Sequence, residues 1–381
     1  MALPARLLVV LGTRPEAIKL APVIRRLRGF PSAQTCVCLT GQHRDMVPTV
    51  LSFFDISIDA DLEVMQPNQS LSGLAASALV GLDGIIADFS PDWTIVQGDT
   101  TTAFAAALAS FHRRVKVAHV EAGLRSFDLA KPFPEEANRM MTAAVTNLHF
   151  CPTARARENL LAEHIPAERI RVVGNTVIDA LHLALERLRG GEVAARSLAA
   201  SFPALEVEKP FVLVTGHRRE SFGKPFEELC LAIRDVAQAE EIQFVYPVHL
   251  NPNVRQPVFE ILRGLRNVHL GEPVGYPELV SLLQRCRFVL TDSGGIQEEA
   301  AALGKPVLVM RDVTERRESV DAGVSRLVGT SRAVIGEWTL RLLRDHATYR
   351  QMSRKVDVYG DGHASERIAE GLGLASAEVR R

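Results

Sequence analysis

Short apolar runs rich in β-branched residues recur along the chain, and each is followed by a polar loop and then by a segment of helical character. The runs cover residues 7–11, 35–39, 93–96, 115–120, 148–150, 211–215, 243–248, 268–270, 288–291 and 307–310. Strands that alternate with helices are typical of parallel sheets covered by helices on both faces. The pattern therefore predicts an α/β protein built from doubly wound, Rossmann-like sheets.

The apolar runs form two groups, separated by a polar, partly helical stretch at 181–208. A chain of 381 residues exceeds the size at which a single core keeps growing. We therefore predict an N-terminal domain of residues 1–175 and a C-terminal domain of residues 176–362. Ligands of open α/β sheets bind beyond the carboxyl ends of the strands, so the loops that follow each run are expected to carry the chemistry.

Composition narrows the possible partners. Hydrophobic residues make up 47% of the chain, charged residues 23%, and the formal net charge is -1, which offers no field to attract nucleic acid. We find no apolar stretch of the roughly 18 residues that cross a bilayer, and the run 7–11 is too short for a signal peptide. These features predict a cytoplasmic protein without nucleic-acid or membrane partners.

The cysteines and glycines indicate neither a metal nor a nicotinamide cofactor. Five cysteines, an odd number, lack the spacing of metal ligands. Cys36 and Cys38 alternate on a predicted strand, and we interpret both as core thiols of a reducing compartment. The segment 371–373 follows a helix and lacks the third glycine of a dinucleotide fingerprint.

A predicted strand at 288–291 leads into Asp292, Ser293, Gly294 and Gly295 and then into a helix. Glycines at a helix start let backbone N–H groups approach phosphate oxygens, and the helix dipole favours negative charge there. Glu298 and Glu299, which we place in the same first turn, would repel a diphosphate but can accept hydrogen bonds from a ribose diol. The loop therefore favours a nucleotide, with capping of the helix by acidic residues as the alternative.

Other strand-end loops carry side chains suited to anions. They are Arg14 and Lys19 near the first predicted helix start, His217, Arg218 and Arg219 after the strand 211–215, and His249 after the next strand. Arginine presents a planar fork that matches phosphate, and histidine can donate to it. Lys19 alone is compatible with an ordinary surface residue and His249 alone with a structural one, but together these loops predict an anion site.

Carboxylates follow strands of the N-terminal half. Asp99 and Glu121 occupy equivalent points after consecutive strands, and Glu135 and Glu136 follow in the next loop. One of two paired carboxylates can accept a proton and the other can donate one when their environments give them different pKa values. We predict chemistry for Asp99, Glu121 and Glu135, with salt bridges or helix caps as the alternative. For Glu136 we prefer that structural interpretation.

Taken in order, these motifs resemble the non-hydrolysing UDP-N-acetylglucosamine 2-epimerases of bacterial type. The matching segments are 12–16 (GTRPE), 40–44 (TGQHR), 98–102 (GDTTT), 119–123 (HVEAG), 134–136 (PEE), 174–176 (GNT), 216–220 (GHRRE), 292–295 (DSGG), 314–316 (TER) and 360–362 (GDG). They span nearly the whole chain, which makes the resemblance far more specific than any single motif.

The resemblance implies a glycosyltransferase-B-like fold, with the two domains facing across a cleft, and a C-terminal helix at about 363–381 that packs back onto the first domain. It implies the catalytic residues Asp99, Glu121, Glu135 and His217, and the UDP-binding residues Arg14, Lys19, His217, Arg218, Ser293, Gly294, Gly295, Glu299 and Arg316. It also implies UDP-N-acetylglucosamine as substrate, no cofactor or metal, and a homodimer.

The chain departs from the family pattern at a few positions. Gln97 stands where a histidine is expected before Gly-Asp, and Arg317 replaces a proline. Some bacterial members are activated by substrate at a second site, for which the candidates are Gln42, Arg219 and His249. Asp45 and Asn68 are not the residues expected there, so the resemblance is incomplete at that site.

The implied reaction is reversible epimerisation at C2 that yields UDP-N-acetylmannosamine for cell-surface polysaccharides. The C2 proton is not acidic until UDP leaves C1, so we expect elimination to a glycal and re-addition from the other face. Alternatives that keep the fold are an epimerase for another UDP-aminosugar or a UDP-aminouronic acid, a hydrolysing epimerase and a glycosyltransferase. A non-catalytic regulator that binds nucleotide sugars is a further alternative.

Overall fold

The computed structural model describes residues 4–42, 46–66, 69–189, 198–206, 208–218 and 221–374. The chain divides into two compact units, the first comprising Met1–Leu183 and Gly360–Arg381 and the second Ala184–Tyr359. It leaves the first unit within the helix Thr176–Arg187, rather than before this helix as we predicted, and re-enters that unit at Gly360. Each unit is built around one parallel sheet.

The sheet of the first unit has seven strands in the order β3-β2-β1-β4-β5-β6-β7. The strands are β1 (Ala5–Leu11), β2 (Ala33–Leu39), β3 (Ala60–Asp61), β4 (Trp93–Gln97), β5 (Lys116–Val120), β6 (Leu148–Cys151) and β7 (Ile170–Val172). The helices between them are α1 (Arg14–Arg28), α2 (Met46–Phe53), α3 (Leu71–Phe89), α4 (Thr101–His112), α5 (Glu135–Val145), α6 (Ala154–Ala162) and α7 (Thr176–Arg187), with a 3-10 turn at Ala167–Arg169. Every residue of the run 7–11 in β1 is at most 1% exposed, as expected of a parallel strand covered on both faces.

The sheet of the second unit has six strands in the order β10-β9-β8-β11-β12-β13. They are β8 (Phe211–Thr215), β9 (Gln243–Pro247), β10 (Val268–Gly271), β11 (Phe288–Thr291), β12 (Val307–Val309) and β13 (Ser325–Leu327). The helices are a short stretch at 198–201, α8 (Lys224–Ala239), α9 (Pro252–Leu262), α10 (Tyr276–Arg285), α11 (Gly294–Ala302), α12 (Arg317–Asp321), α13 (Arg332–Arg344) and α14 (His346–Met352).

Strand β8 shows how the second sheet supports two cores. Val212 and Val214 point into the cluster formed with α8, α9 and α13, whereas Phe211 and Leu213 belong to the cluster formed with α10 and α11. This alternation follows from the two-residue period of side chains along a strand. Both faces of the sheet are therefore apolar.

The last helix, α15 (Ala364–Gly371), returns to the first unit and packs against α1. Its N-terminus is capped from α7, because the Asp179 carboxylate accepts hydrogen bonds from the backbone N–H groups of Ala364 (3.2 Å) and Ser365 (2.7 Å). Burial raises the pKa of the Asp179 carboxyl. One side chain of α7 therefore joins the two separate segments of the first unit.

Helix α3 corrects one expectation about composition. Its 19 residues, with a mean hydropathy of 1.4 in the most apolar window, are long and apolar enough to cross a membrane by length and composition. Leu74, Ala78, Leu82 and Ile86 form a buried stripe with four-residue spacing, and the helix packs against α4. The apolar residues of this stripe therefore pack inside the first unit, whereas Val80 is exposed at its surface.

Candidate active site

The order of the strands reverses once in each sheet. The reversal lies between β1 and β4 in the first unit and between β8 and β11 in the second. Crevices form at such switch points, because the loops on either side turn to opposite faces of the sheet. The loops at these two points carry Arg14, Asp99, His217 and Ser293, which are four of the predicted site residues.

The two loops at the first switch point are tied together by Glu16 in the first turn of α1. One carboxylate oxygen accepts hydrogen bonds from the backbone N–H groups of Gly12 (3.0 Å) and Thr13 (2.7 Å), and the other accepts from Thr100 Oγ1 (2.6 Å). Burial raises the pKa of the Glu16 carboxyl. Glu16 thereby fixes the loop of half-buried Arg14 relative to the loop of Asp99.

Asp99 follows β4, and its carboxylate forms an ion pair with the guanidinium of Arg139 in α5. The Asp99 backbone carbonyl accepts a hydrogen bond from Asn138 Nδ2 at 2.9 Å. Arg139 is only 4% exposed and also lies 3.4 Å from Glu136. Arg139 was not predicted from the sequence, although its position one helical turn after Glu136 was an available signal.

Glu136 has the structural role that we preferred for it. Its Oε1 accepts hydrogen bonds at 3.0 Å from the backbone N–H groups of Ser126 and Phe127. It is completely buried in α5 and holds the β5–α5 loop against that helix. The structural interpretation of Glu136 is therefore confirmed.

Glu121 directly follows β5 and has a φ of 62°. This value lies in the left-handed region of backbone conformation, which residues other than glycine rarely adopt. It is 5% exposed, and its Oε2 accepts hydrogen bonds from Lys19 Nζ and from Gln97 Nε2. Lys19, which the sequence left open as a surface residue, is buried and contributes a cation to this carboxylate. Strained backbone of this kind persists where the surroundings over-determine it, often at functional sites.

Two buried histidines lie on the strands beneath these carboxylates. His119 in β5 is paired in register with His149 in β6. Burial lowers the pKa of His119 to about 4 and that of His149 to about 3, so both rings are neutral near pH 7. His119 Nε2 lies 2.7 Å from the carbonyl oxygen of Gly98, which precedes Asp99.

Glu135, the third predicted acid, is the first residue of α5 and is half-buried. Its Oε2 atom is buried and has no hydrogen-bond partner among the described residues. The structure therefore places Asp99 and Glu121 beside cations and leaves the Oε2 atom of Glu135 without a donor in the described part of the chain.

In the second unit, the buried carboxylate of Asp292 organises the loop after β8. Its Oδ2 accepts hydrogen bonds from the backbone N–H groups of His217 (2.7 Å) and Arg218 (2.8 Å). The His217 ring nitrogen Nδ1 lies 3.4 Å from Asp292 Oδ1, and the ring stacks on that of His249 at 5.4 Å between centroids. His217, Arg218 and Asp292 thus lie together at the second switch point.

Helix α11 begins at Gly294, with Ser293 as its N-cap and Gly295 in its first turn. Glu298 and Glu299 are not in this first turn, which contains no acidic residue, and this corrects our placement of them. Glu299 is 3% exposed and accepts a 2.9 Å hydrogen bond from Tyr276 Oη. The backbone N–H groups of the helix start are therefore not opposed by a carboxylate in the same turn.

Arg316 is 5% exposed and is surrounded by carboxylates. Its Nε donates to Glu298 Oε1 at 2.9 Å, and its Nη1 donates to Glu315. The guanidinium lies against Gly294, because a Cβ atom added at that glycine would come within 2.7 Å of it. The guanidinium of Arg316 thus lies against the helix start that carries Ser293 and Gly294.

The predicted second site is only partly described. Gln42 accepts a hydrogen bond from Thr102 Oγ1 at 3.2 Å, and His249 is exposed. Arg219, Asp45 and Asn68 lie outside the described residues. Within the described ranges, no group of three or more His, Cys, Asp or Glu side chains is arranged to hold a metal ion.

A family model described as UDP-N-acetylglucosamine 2-epimerase matches residues 25–373. The chain is 51% identical over 368 residues to the UDP-N-acetylglucosamine 2-epimerase of Escherichia coli strain K12, with 96% of this chain and 98% of that protein covered. It is 50% identical, also over 368 residues, to a probable enzyme of the same name from Ralstonia nicotianae, with the same coverage.

Solved structures give the same result. The UDP-GlcNAc 2-epimerase of Neisseria meningitidis bound to UDP-GlcNAc matches with a TM-score of 0.93 and 45% identity, covering 96% of this chain and 99% of that chain. The Methanocaldococcus jannaschii enzyme in complex with UDP-GlcNAc and UDP matches with a TM-score of 0.86 and 31% identity, covering 97% and 99%. The predicted glycosyltransferase-B-like fold and the family resemblance are confirmed. The chain belongs to the UDP-N-acetylglucosamine 2-epimerase family.

Proposed function

We propose that this protein is an isomerase that interconverts UDP-N-acetylglucosamine and UDP-N-acetylmannosamine by inversion at C2. Family membership over nearly the whole chain supports the reaction. One observation in the structure supports it further: Asp99 and Glu121, at the carboxyl ends of adjacent strands, each have a buried cation partner. Such carboxylates suit proton transfer at a sugar carbon.

The reaction has to begin with departure of UDP, because the C2 proton is not acidic while the C1–O bond is intact. The C1–O bond breaks, the electron pair leaves with the diphosphate, and a carboxylate takes the C2 proton to give a 2-acetamidoglucal. In the reverse step the diphosphate oxygen adds to C1 and an acid delivers a proton to the opposite face of C2. Asp99, Glu121 and Glu135 supply the base and the acid in this proposal.

We assign the nucleotide to the second unit. The N–H groups of Gly294 and Gly295 at the start of α11 suit the diphosphate, as do the side chains of His217 and Arg218. Glu299 is suited to the ribose diol, and Ser293 adds a further phosphate donor. Arg14 belongs to the first unit, and its role as a phosphate donor stays a prediction. Lys19 and Arg316 have a different part in the proposal, because each is buried against carboxylates. They support Glu121 and the α11 start, respectively.

Proton NMR of the purified protein with UDP-N-acetylglucosamine in D2O tests this proposal. We expect deuterium at C2 and signals of UDP-N-acetylmannosamine. A glycosyltransferase would give little deuterium without an acceptor, a hydrolysing epimerase would release free N-acetylmannosamine, and a regulator would bind the substrate unchanged. Conversion of a UDP-aminouronic acid in preference to UDP-N-acetylglucosamine would indicate the related epimerase.

The Asp99→Asn variant tests the role of the acids in the same assay. It should abolish conversion while leaving the affinity for UDP within a few fold, because the proposed UDP groups belong to other loops. Arg14→Met should instead weaken UDP binding. Full epimerase activity in Asp99→Asn would remove that residue from the mechanism.

We propose further that the protein acts in the cytoplasm as a homodimer and supplies activated amino sugar for cell-surface polysaccharide. The homodimer is carried by the family resemblance alone. Light scattering after size exclusion measures the mass of the assembly directly.

Activation by substrate at the predicted second site is a separate proposal. A sigmoidal dependence of rate on substrate concentration, which becomes hyperbolic in His249→Ala, would support activation through Gln42, Arg219 and His249.

A further inference from the structure

Glu121 is the most tightly constrained of the three proposed acids. Its backbone is in the left-handed region, at a φ of 62°, and its side chain is nearly completely buried. Two donors, Lys19 Nζ and Gln97 Nε2, reach the same oxygen, Oε2. The backbone of Glu121 and one oxygen of its carboxylate are therefore both held in place. The two donors, Lys19 and Gln97, contribute to the orientation of the carboxylate.

Gln97 lies where the two acid-bearing strand ends meet. It is the last residue of β4, is paired in register with Val120 of β5, and is 3% exposed. The chain continues from Gln97 through Gly98 to Asp99, while Val120 is followed directly by Glu121. The contact from Gln97 to Glu121 therefore links the end of the strand that carries one acid to the side chain of the next.

We propose that Gln97 is a positioning residue for epimerisation, which orients the Glu121 carboxylate through its side-chain amide. The proposal rests on the proposed function, in which Glu121 is one of the acids that act on C2. Gln97 itself does not transfer a proton, because an amide neither gains nor loses one near neutral pH.

Lys19 and Gln97 make different contributions to this arrangement. The ammonium group of Lys19 supplies charge on a flexible stem, and its three donors rotate freely. The planar amide of Gln97 adds a directional N–H without further charge. Lys19 thus supplies the counter-charge of the Glu121 carboxylate, and the Gln97 amide adds a second, directional contact to the same oxygen.

The experiment compares two substitutions at this position with a control on the same strand. Gln97→Met keeps the length of the side chain but removes the donor, whereas Gln97→His retains a ring N–H. Thr94→Val alters another buried polar side chain of β4, whose Oγ1 has no hydrogen-bond partner among the described residues. For each protein, kcat and KM are measured from C2 deuterium incorporation, UDP affinity by calorimetry, and Tm by thermal unfolding.

We expect Gln97→Met to lose about 10- to 100-fold in kcat, the effect of misplacing a reacting group by up to about 1 Å. KM and UDP affinity should stay within about twofold, because substrate binding does not depend on this contact. On a logarithmic scale, Gln97→His should recover at least half of the kcat that Gln97→Met loses. Thr94→Val should have the kcat of the wild type.

Two results would overturn the assignment. One is a kcat of Gln97→Met equal to that of the wild type. The other is a loss of kcat that Gln97→His does not recover and that scales with a fall in Tm, which would indicate damage to the fold. Failure of the proposed function has a different signature, because the wild type itself would then show no deuterium incorporation, and the role of Gln97 would fail with it.

Discussion

At the scale of single residues, ion pairs in this protein differ greatly in burial. The side chains of Lys19 and Glu121 are 9% and 3% exposed, whereas those of Arg113 and Asp83 are both 44% exposed. Removing one partner of a buried pair leaves an uncompensated charge in a medium of low polarity. Exposed pairs contribute little, because water and salt screen them.

Lys19→Met should therefore destabilise the first unit by about 3–5 kcal/mol, because it leaves Glu121 without its cation. Arg113→Met, which breaks the exposed pair, should cost at most about 1 kcal/mol. Chemical denaturation of both variants measures the difference. Equal losses in the two variants would mean that Glu121 is compensated by another group.

Gly294 and Gly295 look equivalent in the sequence but differ in their surroundings. An added Cβ at Gly294 would lie 2.7 Å from Arg316 Cζ, a guanidinium held in place by Glu298 and Glu315, whereas nothing lies within 4 Å of a Cβ at Gly295. Gly294→Ala should therefore cost about 1–3 kcal/mol through overpacking. Gly295→Ala should cost nothing, because alanine favours helix. Thermal unfolding without UDP distinguishes them, and similar values would contradict the tight contact.

His149 makes stability depend on acidity. Its folded pKa of about 3, lowered chiefly by burial and then by His119 and Arg125, lies below the unfolded value of about 6.5, so the unfolded chain binds the proton first. The contribution of the neutral His149 ring to the free energy of unfolding is thus fully present above about pH 6.5, and it is lost as the pH falls toward 3. Between pH 7 and 5 the loss from this group is about 2 kcal/mol.

Replacing the imidazole should remove that part of the acid sensitivity. We expect His149→Leu to lose about 2 kcal/mol less than the wild type when urea titrations at pH 7 and pH 5 are compared. His346→Gln, a change at an exposed residue, serves as the control and should follow the wild type. An unchanged difference between the two pH values in His149→Leu would show that other groups cause the acid sensitivity.

At the scale of elements, long and continuously apolar strands were predicted and short edge strands were not. The run 7–11 lies within β1, the run 288–291 coincides with β11, and all residues of both runs are buried. The missed strands are β3, β7 and β13, which have two or three residues and include exposed positions. Their pairing depends on the neighbouring strand rather than on their own sequence, so no apolar pattern marks them.

The same distinction applies to the candidate site. The rule that strand-end loops hold ligands was sufficient to select Asp99, Glu121, His217 and Ser293. It could not find Arg139, whose contact with Asp99 depends on how α5 packs against the β4 loop. Partners far apart in sequence become neighbours only through the topology of the sheet.

The N-terminus of α15 depends on a cap from another helix, which can be tested by one substitution. Asp179→Ala removes the acceptor for the N–H groups of Ala364 and Ser365, and the loss of such a cap costs about 0.5–2 kcal/mol. Hydrogen exchange should accelerate in Ala364–Gly371. Asp345→Ala, which removes the side-chain cap of α14 in the second unit, should leave α15 unchanged. Unaltered exchange in the Asp179 variant would show that packing alone fixes the helix.

At the scale of the whole molecule, the first unit is assembled from two distant stretches of the chain. Its last strand ends at residue 172, yet α15 follows the whole second unit in the chain. Besides its contact with α1, this segment donates a hydrogen bond from Arg367 Nη1 to the Val173 carbonyl at 3.0 Å. Only the family resemblance predicted this arrangement, because nothing in the sequence pattern of α15 itself specifies its partner.

A chain that ends at Tyr359 should therefore weaken one unit selectively. It lacks α15, so the face of α1 that packs against α15 becomes exposed and Asp179 loses its hydrogen-bond donors. Hydrogen exchange should then accelerate in β1 and β2 by about tenfold for each 1.4 kcal/mol of lost stability, while β8 and β11 retain the protection of the full-length protein. A chain that ends at Leu374 keeps all of α15 and should match the full-length protein throughout. Equal acceleration in both sheets of the shorter chain would mean that the two units unfold as one.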